Sequence, residues 1–140
     1  MTSPTPVTKG SLLVVDDEPP IGELLQQWLQ DEGYAAEYAP RFDRVKALLA
    51  ERSIDLVTLD IMMPDADGLQ VLEWIKEHYP DVGVVMATAL GDLDTVLQAM
   101  RLGASGYLIK PFNMELVTEE IGLAMERQRL IAENRAYQKD

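Results

Sequence analysis

Leu12-Leu13-Val14-Val15-Asp16-Asp17-Glu18-Pro19-Pro20 is the stretch from which the rest of the chain can be read: four apolar residues in a row that stop abruptly in acid. A continuous apolar run of this kind predicts a strand buried on both faces, as in a parallel sheet, with its C-terminal tip meeting solvent at Asp16. Behind the prolines, Ile21, Leu24, Leu25, Trp28 and Leu29 recur at the spacing of one helix face, and Gly33 is placed to end that helix. The unit then repeats. Residues 34–38 predict a second strand, and Phe42, Val45, Leu48 and Leu49 mark the buried side of a second helix. Residues 56–59 run as a third strand into Asp60, and a loop over Met62, Met63 and Pro64 leads through Gly68 to a helix over 69–78. Residues 82–88 predict a fourth strand, Asp92 caps a helix reaching Leu102, Gly103 ends it, and residues 107–109 form a fifth strand. Five rounds of strand and helix with short connections imply a doubly wound α/β sandwich, since parallel strands need a crossover between them.

Nothing from Asn113 to about Tyr137 breaks the final helix, which at 1.5 Å per residue would extend roughly 37 Å, so only its first half is expected to lie on the domain. Leu116, Leu123, Leu130 and Tyr137 are seven apart, with Val117, Ala124 and Ile131 beside them. A coiled-coil seam and a solvated helical tail are equally good readings of that spacing, because Asn134 interrupts it with a polar residue. The expected organisation is a lead-in over residues 1–10, one domain over 11–125, and a helical extension over 126–140 that leads to an output domain or serves as a dimerisation helix.

The 140 residues, 47% of them hydrophobic, suffice for one core. With 12 Lys and Arg against 24 Asp and Glu, the net charge of −12 argues against direct nucleic-acid contact by this chain. Without cysteine there is no disulfide framework, thiolate metal site or thiol nucleophile. No apolar run approaches the ~20 residues of a membrane helix, and a cytoplasmic setting is expected.

Asp16 and Asp17 close the first strand, Asp60 the third, Thr88 the fourth and Lys110 the fifth. Ligands of open parallel α/β sheets bind outside these strand ends, at the point where the winding reverses, so the five residues should converge on one crevice. Crowded carboxylates repel unless a cation sits between them, and oxygen-only donors suit a hard ion such as Mg²⁺. A lysine opposite them can balance charge and then neutralise a phosphoryl group, while a threonine hydroxyl can donate to one of its oxygens.

Val14-Val15-Asp16-Asp17-Glu18, the run from Leu59-Asp60 through Met62-Met63-Pro64 to Asp67-Gly68, Thr88-Ala89 and Lys110-Pro111-Phe112 together resemble the receiver domains of two-component signalling, over roughly residues 11–125. That resemblance implies a flavodoxin-like five-stranded sheet of order 2-1-3-4-5. It makes Asp60 the phosphoacceptor and gives Mg²⁺ the ligands Asp16, Asp17, Asp60 and the backbone carbonyl of Met62. Thr88 and Lys110 then contact the phosphoryl group, which comes from a sensor histidine kinase or phosphotransfer protein. It makes Tyr107 a switch aromatic that turns inward when Thr88 moves, altering the surface of the fourth helix, fifth strand and fifth helix. The Lys110–Pro111 bond becomes a cis candidate, though sequence leaves both isomers open. Water attack on the acyl phosphate should depend on the side chains two positions after Asp60 and after Thr88, here Met62 and Leu90. Neither can orient a water, so a long-lived phosphorylated state is expected.

Such a domain transforms only itself and is not a turnover enzyme. Three other readings compete. A haloacid-dehalogenase-type phosphohydrolase would carry an Asp two residues after its nucleophile, where Met62 stands. A flavodoxin-like cofactor carrier would offer hydroxyls and glycines rather than Asp16-Asp17-Glu18 to a phosphate. A receiver that has lost phosphorylation would act only as a docking module. Asp65 and Asp67 lack the further ligands of a calcium loop. His78 is expected at the surface, Trp28 and Trp74 in the core, and Met62, Met63, Met86, Met100 and Met114 in loop packing or core filling. The long terminal helix suggests that the natural protein continues, with an output that the sequence does not identify.

Overall fold

A computed structural model describes residues 8–63, 65–89 and 92–138, with side chains described as far as Arg135. Most of the expected lead-in, Pro64, Leu90 and the side chain of Tyr137 fall outside the described residues. The elements follow in the order β1 (Ser11–Val15), α1 (Pro19–Asp31), β2 (Ala35–Ala39), α2 (Phe42–Glu51), β3 (Leu56–Asp60), β4 (Met62–Met63), β5 (Ala66–Asp67), α3 (Gly68–His78), β6 (Gly83–Ala89), α4 (Leu93–Arg101), β7 (Gly106–Lys110) and α5 (Met114–Gln138). The main sheet has five parallel strands in the order β2-β1-β3-β6-β7, which is 2-1-3-4-5 when only its own strands are numbered. The stretch read as a plain loop after Asp60 instead holds a two-stranded antiparallel hairpin, β4 against β5, too short for side-chain periodicity to reveal.

The apolar runs are continuous because both faces of the sheet are covered. Leu13, Val15, Val57, Leu59, Val84 and Met86 point into a layer with Val45, Leu48, Val71 and Ile75 of α2 and α3. Leu12, Val14, Leu56, Val85 and Leu108 point the other way, onto Leu25 and Leu29 of α1 and Val117, Ile121 and Ala124 of α5. Pro19 opens α1 where its missing N–H costs nothing. Asp67 accepts from Leu69 N–H at 2.9 Å to cap α3, and Asn113 accepts from Glu115 and Leu116 N–H at 2.9 and 3.2 Å to cap α5. Asp92 stands at the N-cap of α4, yet its carboxylate takes the Thr95 hydroxyl, at 2.7 Å, rather than a backbone N–H. Gly33 and Gly103 follow α1 and α4 with φ of 103° and 104°, a region that side chains disfavour.

Three expectations need correction. Trp28 and Trp74 are half-buried at the margins of the two layers, Trp74 stacking on the exposed His78 with ring centroids 4.5 Å apart. Met86 fills the core, but Met62, Met100 and Met114 are exposed, because helix and loop positions that reach solvent follow the tertiary packing rather than residue type. Contact between α5 and the domain also continues well past its midpoint. Gln128 is buried and donates to the Asp81 carbonyl, Arg127 donates to the Ser105 carbonyl at 2.6 Å, and Arg135 pairs with Asp81 at 2.8 Å. Among the described residues no helix is long and apolar enough to cross a membrane.

Candidate functional site

Strand register brings the chemistry together. Leu59 pairs with Val15 on one side and Met86 on the other, and Thr88 with Ile109, so the C-terminal ends of β1, β3, β6 and β7 line up at one edge of the sheet. Carboxylate oxygens of Asp16, Asp17 and Asp60 lie within 4.8 Å of one another there. Asp16 and Asp60 are buried and Asp17 is half-buried. The Lys110 ammonium, extended from the end of β7, donates to Asp16 at 2.8 Å and to Asp60 at 3.3 Å, bridging the two buried acids. The peptide bond that follows it, Lys110–Pro111, is cis.

Asp60 Oδ1 accepts the Met62 N–H at 3.2 Å, and Asp16 Oδ1 accepts the Glu18 N–H at 2.9 Å. Thr88 is buried, and its hydroxyl donates to the Ala89 carbonyl at 3.3 Å, a weak tie within its own turn. These groups surround a crevice of about 360 Å³ lined by Asp17, Glu18, Asp60, Met62, Thr88 and Lys110. The Met62 side chain stands out into solvent, 78% exposed, while its backbone stays at the site. Tyr107 is exposed on β7 and borders a separate cavity of about 480 Å³ with Ile109 and Leu116.

Burial pushes the Asp60 carboxyl up to about 6, with Asp16 adding repulsion; the Lys110 charge and the Met62 N–H work against the rise without cancelling it. Lys110 loses hydration on burial, yet its hydrogen bond to Asp16 and the charges of Asp60 and Asp16 outweigh that loss and raise its pKa. Among the described residues, Lys110 is the cation paired with this concentration of negative charge.

Two acids that suggested calcium have other work. Asp65 accepts the Phe42 N–H at 3.1 Å, across the chain at the start of α2, and Asp67 caps α3. Gly68 lets α3 begin hard against the strand end: its N–H donates to the Ile61 carbonyl at 3.0 Å, and a methyl group added to it would stand 2.6 Å from that same oxygen. Sequence reasoning passed over Tyr38, whose hydroxyl donates to the Asp16 carbonyl at 2.6 Å. Burial, then the charges of Asp16, Glu23 and Asp17, hold that phenol above its ordinary pKa. An aromatic at the end of the strand next to the acidic loop was the available signal.

Residues 12–122 match the response regulator receiver domain family. The chain is similar to the nitrogen assimilation regulatory protein NtrX of Azorhizobium caulinodans, 39% identical over 126 residues, covering 89% of this chain and 28% of that protein. It is 43% identical over 110 residues to the DNA-binding transcriptional regulator NtrC of Proteus hauseri, covering 76% of this chain and 23% of that protein. Among solved structures, the receiver domain of NtrX from Brucella abortus superposes with a TM-score of 0.79 at 36% identity, covering 82% of this chain and 98% of that one. The chain thus spans about a quarter of the length of these curated relatives. Because the family match begins in β1 and ends in α5, every strand end described above lies inside it, and the chain belongs to the response regulator receiver domains of two-component phosphorelay signalling.

Proposed function

We propose that Asp60 is the phosphoacceptor of this receiver, and that the observation carrying this reading is the Lys110 ammonium bridging Asp60 and Asp16 at the rim of a three-carboxylate crevice. The donor set fits Mg²⁺: all oxygens, three acids within 4.8 Å, and a carboxyl driven up in pKa by burial and crowding, which a cation would relieve. Asp16, Asp17, Asp60 and the Met62 carbonyl would hold it, and when bound it would screen charge on the transferring oxygens.

Asp60 in its ionised form attacks phosphorus in line. The new O–P bond forms as the bond from phosphorus to the donor imidazole of a sensor histidine kinase or phosphotransfer protein breaks, and the imidazole departs with the bonding pair and takes up a proton. Lys110, already donating to Asp60, passes to a phosphoryl oxygen, and the Thr88 hydroxyl exchanges its weak bond to Ala89 for another. The product is an acyl phosphate, formed on the domain itself and not turned over.

The movement of Thr88 would be read out through Tyr107, exposed on β7, whose ring would turn inward into the space Thr88 leaves. Ile109 of β7 and Leu116 of α5 border the same cavity as Tyr107, and they and Leu93, Leu97 and Met100 of α4 are exposed apolar residues that would form the surface phosphorylation alters. Leu116, Leu123 and Leu130 face solvent while Val117 and Ala124 face the domain, which supports a second copy of the helix as partner along the outward seam. Sedimentation of chains ending at Ala124 and at Asp140 tests that pairing; identical monomers at high concentration would end it. Residues 126–140 would then join the receiver to an output domain, and a DNA-binding output, as the name of the NtrC relative states for that protein, would not require this acidic chain to touch DNA.

The deciding experiment is intact mass after incubation with acetyl phosphate, with and without Mg²⁺, for wild type and Asp60→Asn. One phosphoryl adduct that needs both Mg²⁺ and Asp60 is expected. Steady phosphate release without an adduct would favour a hydrolase, and an adduct retained by Asp60→Asn would remove Asp60 from its role.

A further inference from the structure

Asp16 is held through its backbone as well as its charge. Its N–H donates to the Ala39 carbonyl at 3.3 Å, and its carbonyl accepts the Tyr38 hydroxyl at 2.6 Å. Both partners come from the end of β2, so the edge strand grips the acidic loop by two adjoining groups. The Tyr38 ring reaches that place only because residue 22 has no side chain; a methyl group at Gly22 would overlap the ring. The chain of bonds then continues: Asp16 Oδ1 accepts the Glu18 N–H at 2.9 Å, and the Glu18 carbonyl accepts the N–H groups of Ile21 and Gly22 at 3.0 Å. One hydrogen-bonded path thus runs from Tyr38 through Asp16 into the first turn of α1.

This loop carries charges that push it apart, since Asp16 and Asp17 crowd Asp60 across the crevice. A cation site built from them needs the loop held against that repulsion before the ion arrives, because ligands that must be gathered cost affinity. We propose that Tyr38 is a positioning residue for the acidic site, its hydroxyl fixing the Asp16 carbonyl so that Asp16 and Asp17 are set for a divalent cation. This rests on the phosphoacceptor reading, which makes that cation Mg²⁺.

Tyr38→Phe keeps the ring against Gly22 and removes only the donor. Tyr34→Phe is the control: Tyr34 is buried in the same layer, just before β2 and at the end of the sheet opposite Asp16, and loses the same hydroxyl. Calorimetric titration with Mg²⁺ should show the dissociation constant of Tyr38→Phe raised by about three- to tenfold, the worth of one hydrogen bond, with Tyr34→Phe like wild type. In the metal-free protein the Glu18 amide should exchange faster in Tyr38→Phe alone. Phosphorylation by acetyl phosphate should be slowed at low Mg²⁺ and recover at saturation. Unchanged affinity together with unchanged Glu18 exchange would overturn the proposal, as would an equal loss in Tyr34→Phe or a slowing that persists at saturating Mg²⁺. A wild type that bound no Mg²⁺ would instead overturn the phosphoacceptor reading, and Glu18 exchange would still decide whether Tyr38 holds the loop.

Discussion

Asp60→Asn should make this domain more stable at neutral pH while abolishing its phosphorylation. Folding raises the Asp60 pKa from 3.8 to about 6, mainly by burial. The folded protein therefore holds this proton more tightly than the unfolded chain does. Stability falls as pH rises from about 4 to about 6, and the full cost is present above that window. Two pKa units correspond to about 3 kcal/mol at 1.36 kcal/mol each. Water in the crevice screens part of this and asparagine must seat its own amide, so a gain of about 1–2 kcal/mol is expected. For a domain of this size that is a rise in melting temperature of about 3–8 °C. Asparagine keeps an oxygen to accept the Met62 N–H, and Lys110 keeps its 2.8 Å partner Asp16; the new NH2 replaces the oxygen that took Lys110 at 3.3 Å and must aim its hydrogens into the crevice, which is why the gain falls short of about 3 kcal/mol. Thermal unfolding in a chelator at pH 7.5, repeated at steps down to pH 4, gives the test: the advantage of the variant should shrink through pH 6 and nearly vanish at pH 4. Added Mg²⁺ should favour the wild type and narrow the gap at pH 7.5. An Asn variant less stable than wild type in chelator, or an advantage that ignored pH, would refute the assignment of strain to the buried carboxylate.

Thr58, in the middle of β3, has a buried hydroxyl with no hydrogen-bond partner among the described residues and lies between Val14 and Val85, so Thr58→Val should raise the urea midpoint by an amount equivalent to about 1 kcal/mol. A loss of stability there would mean that the hydroxyl is satisfied. Gly68→Ala sets a methyl group against the Ile61 carbonyl, and should cost about 1–3 kcal/mol in denaturant unfolding while slowing phosphorylation, since α3 must back away from the strand end that carries Asp60. Met62→Asn places a hydrogen-bonding side chain at a position now apolar and 78% exposed, and the phosphoryl adduct should decay faster by timed mass spectrometry. An unchanged lifetime would count against the expected long-lived state.

Much of the fold was legible because a parallel sheet covered on both faces has to be written in apolar runs. Residues 12–15 and 56–59 could be read as strands before any contact was known, and the acids and lysine at the run ends marked one edge of the sheet as the candidate site. The hairpin β4–β5 escaped notice because two-residue strands carry no period. Trp28 and Trp74 were placed too deep because periodicity identifies the face of a helix but not how far the opposing layer extends over it.

What the sequence determined by itself, then, was the set of strands and helices and the residue types that converge at the strand ends, since local apolar pattern and chain connectivity specify both. The tertiary structure decided how those residues are held. Lys110 reaches across 50 and 94 positions of chain to Asp60 and Asp16, Asp65 turns away from the site to the start of α2, and Tyr38 meets the Asp16 carbonyl across the β1–β2 edge. Each of these depends on which atoms two distant segments present to one another once packed, and no pattern within either segment encodes that.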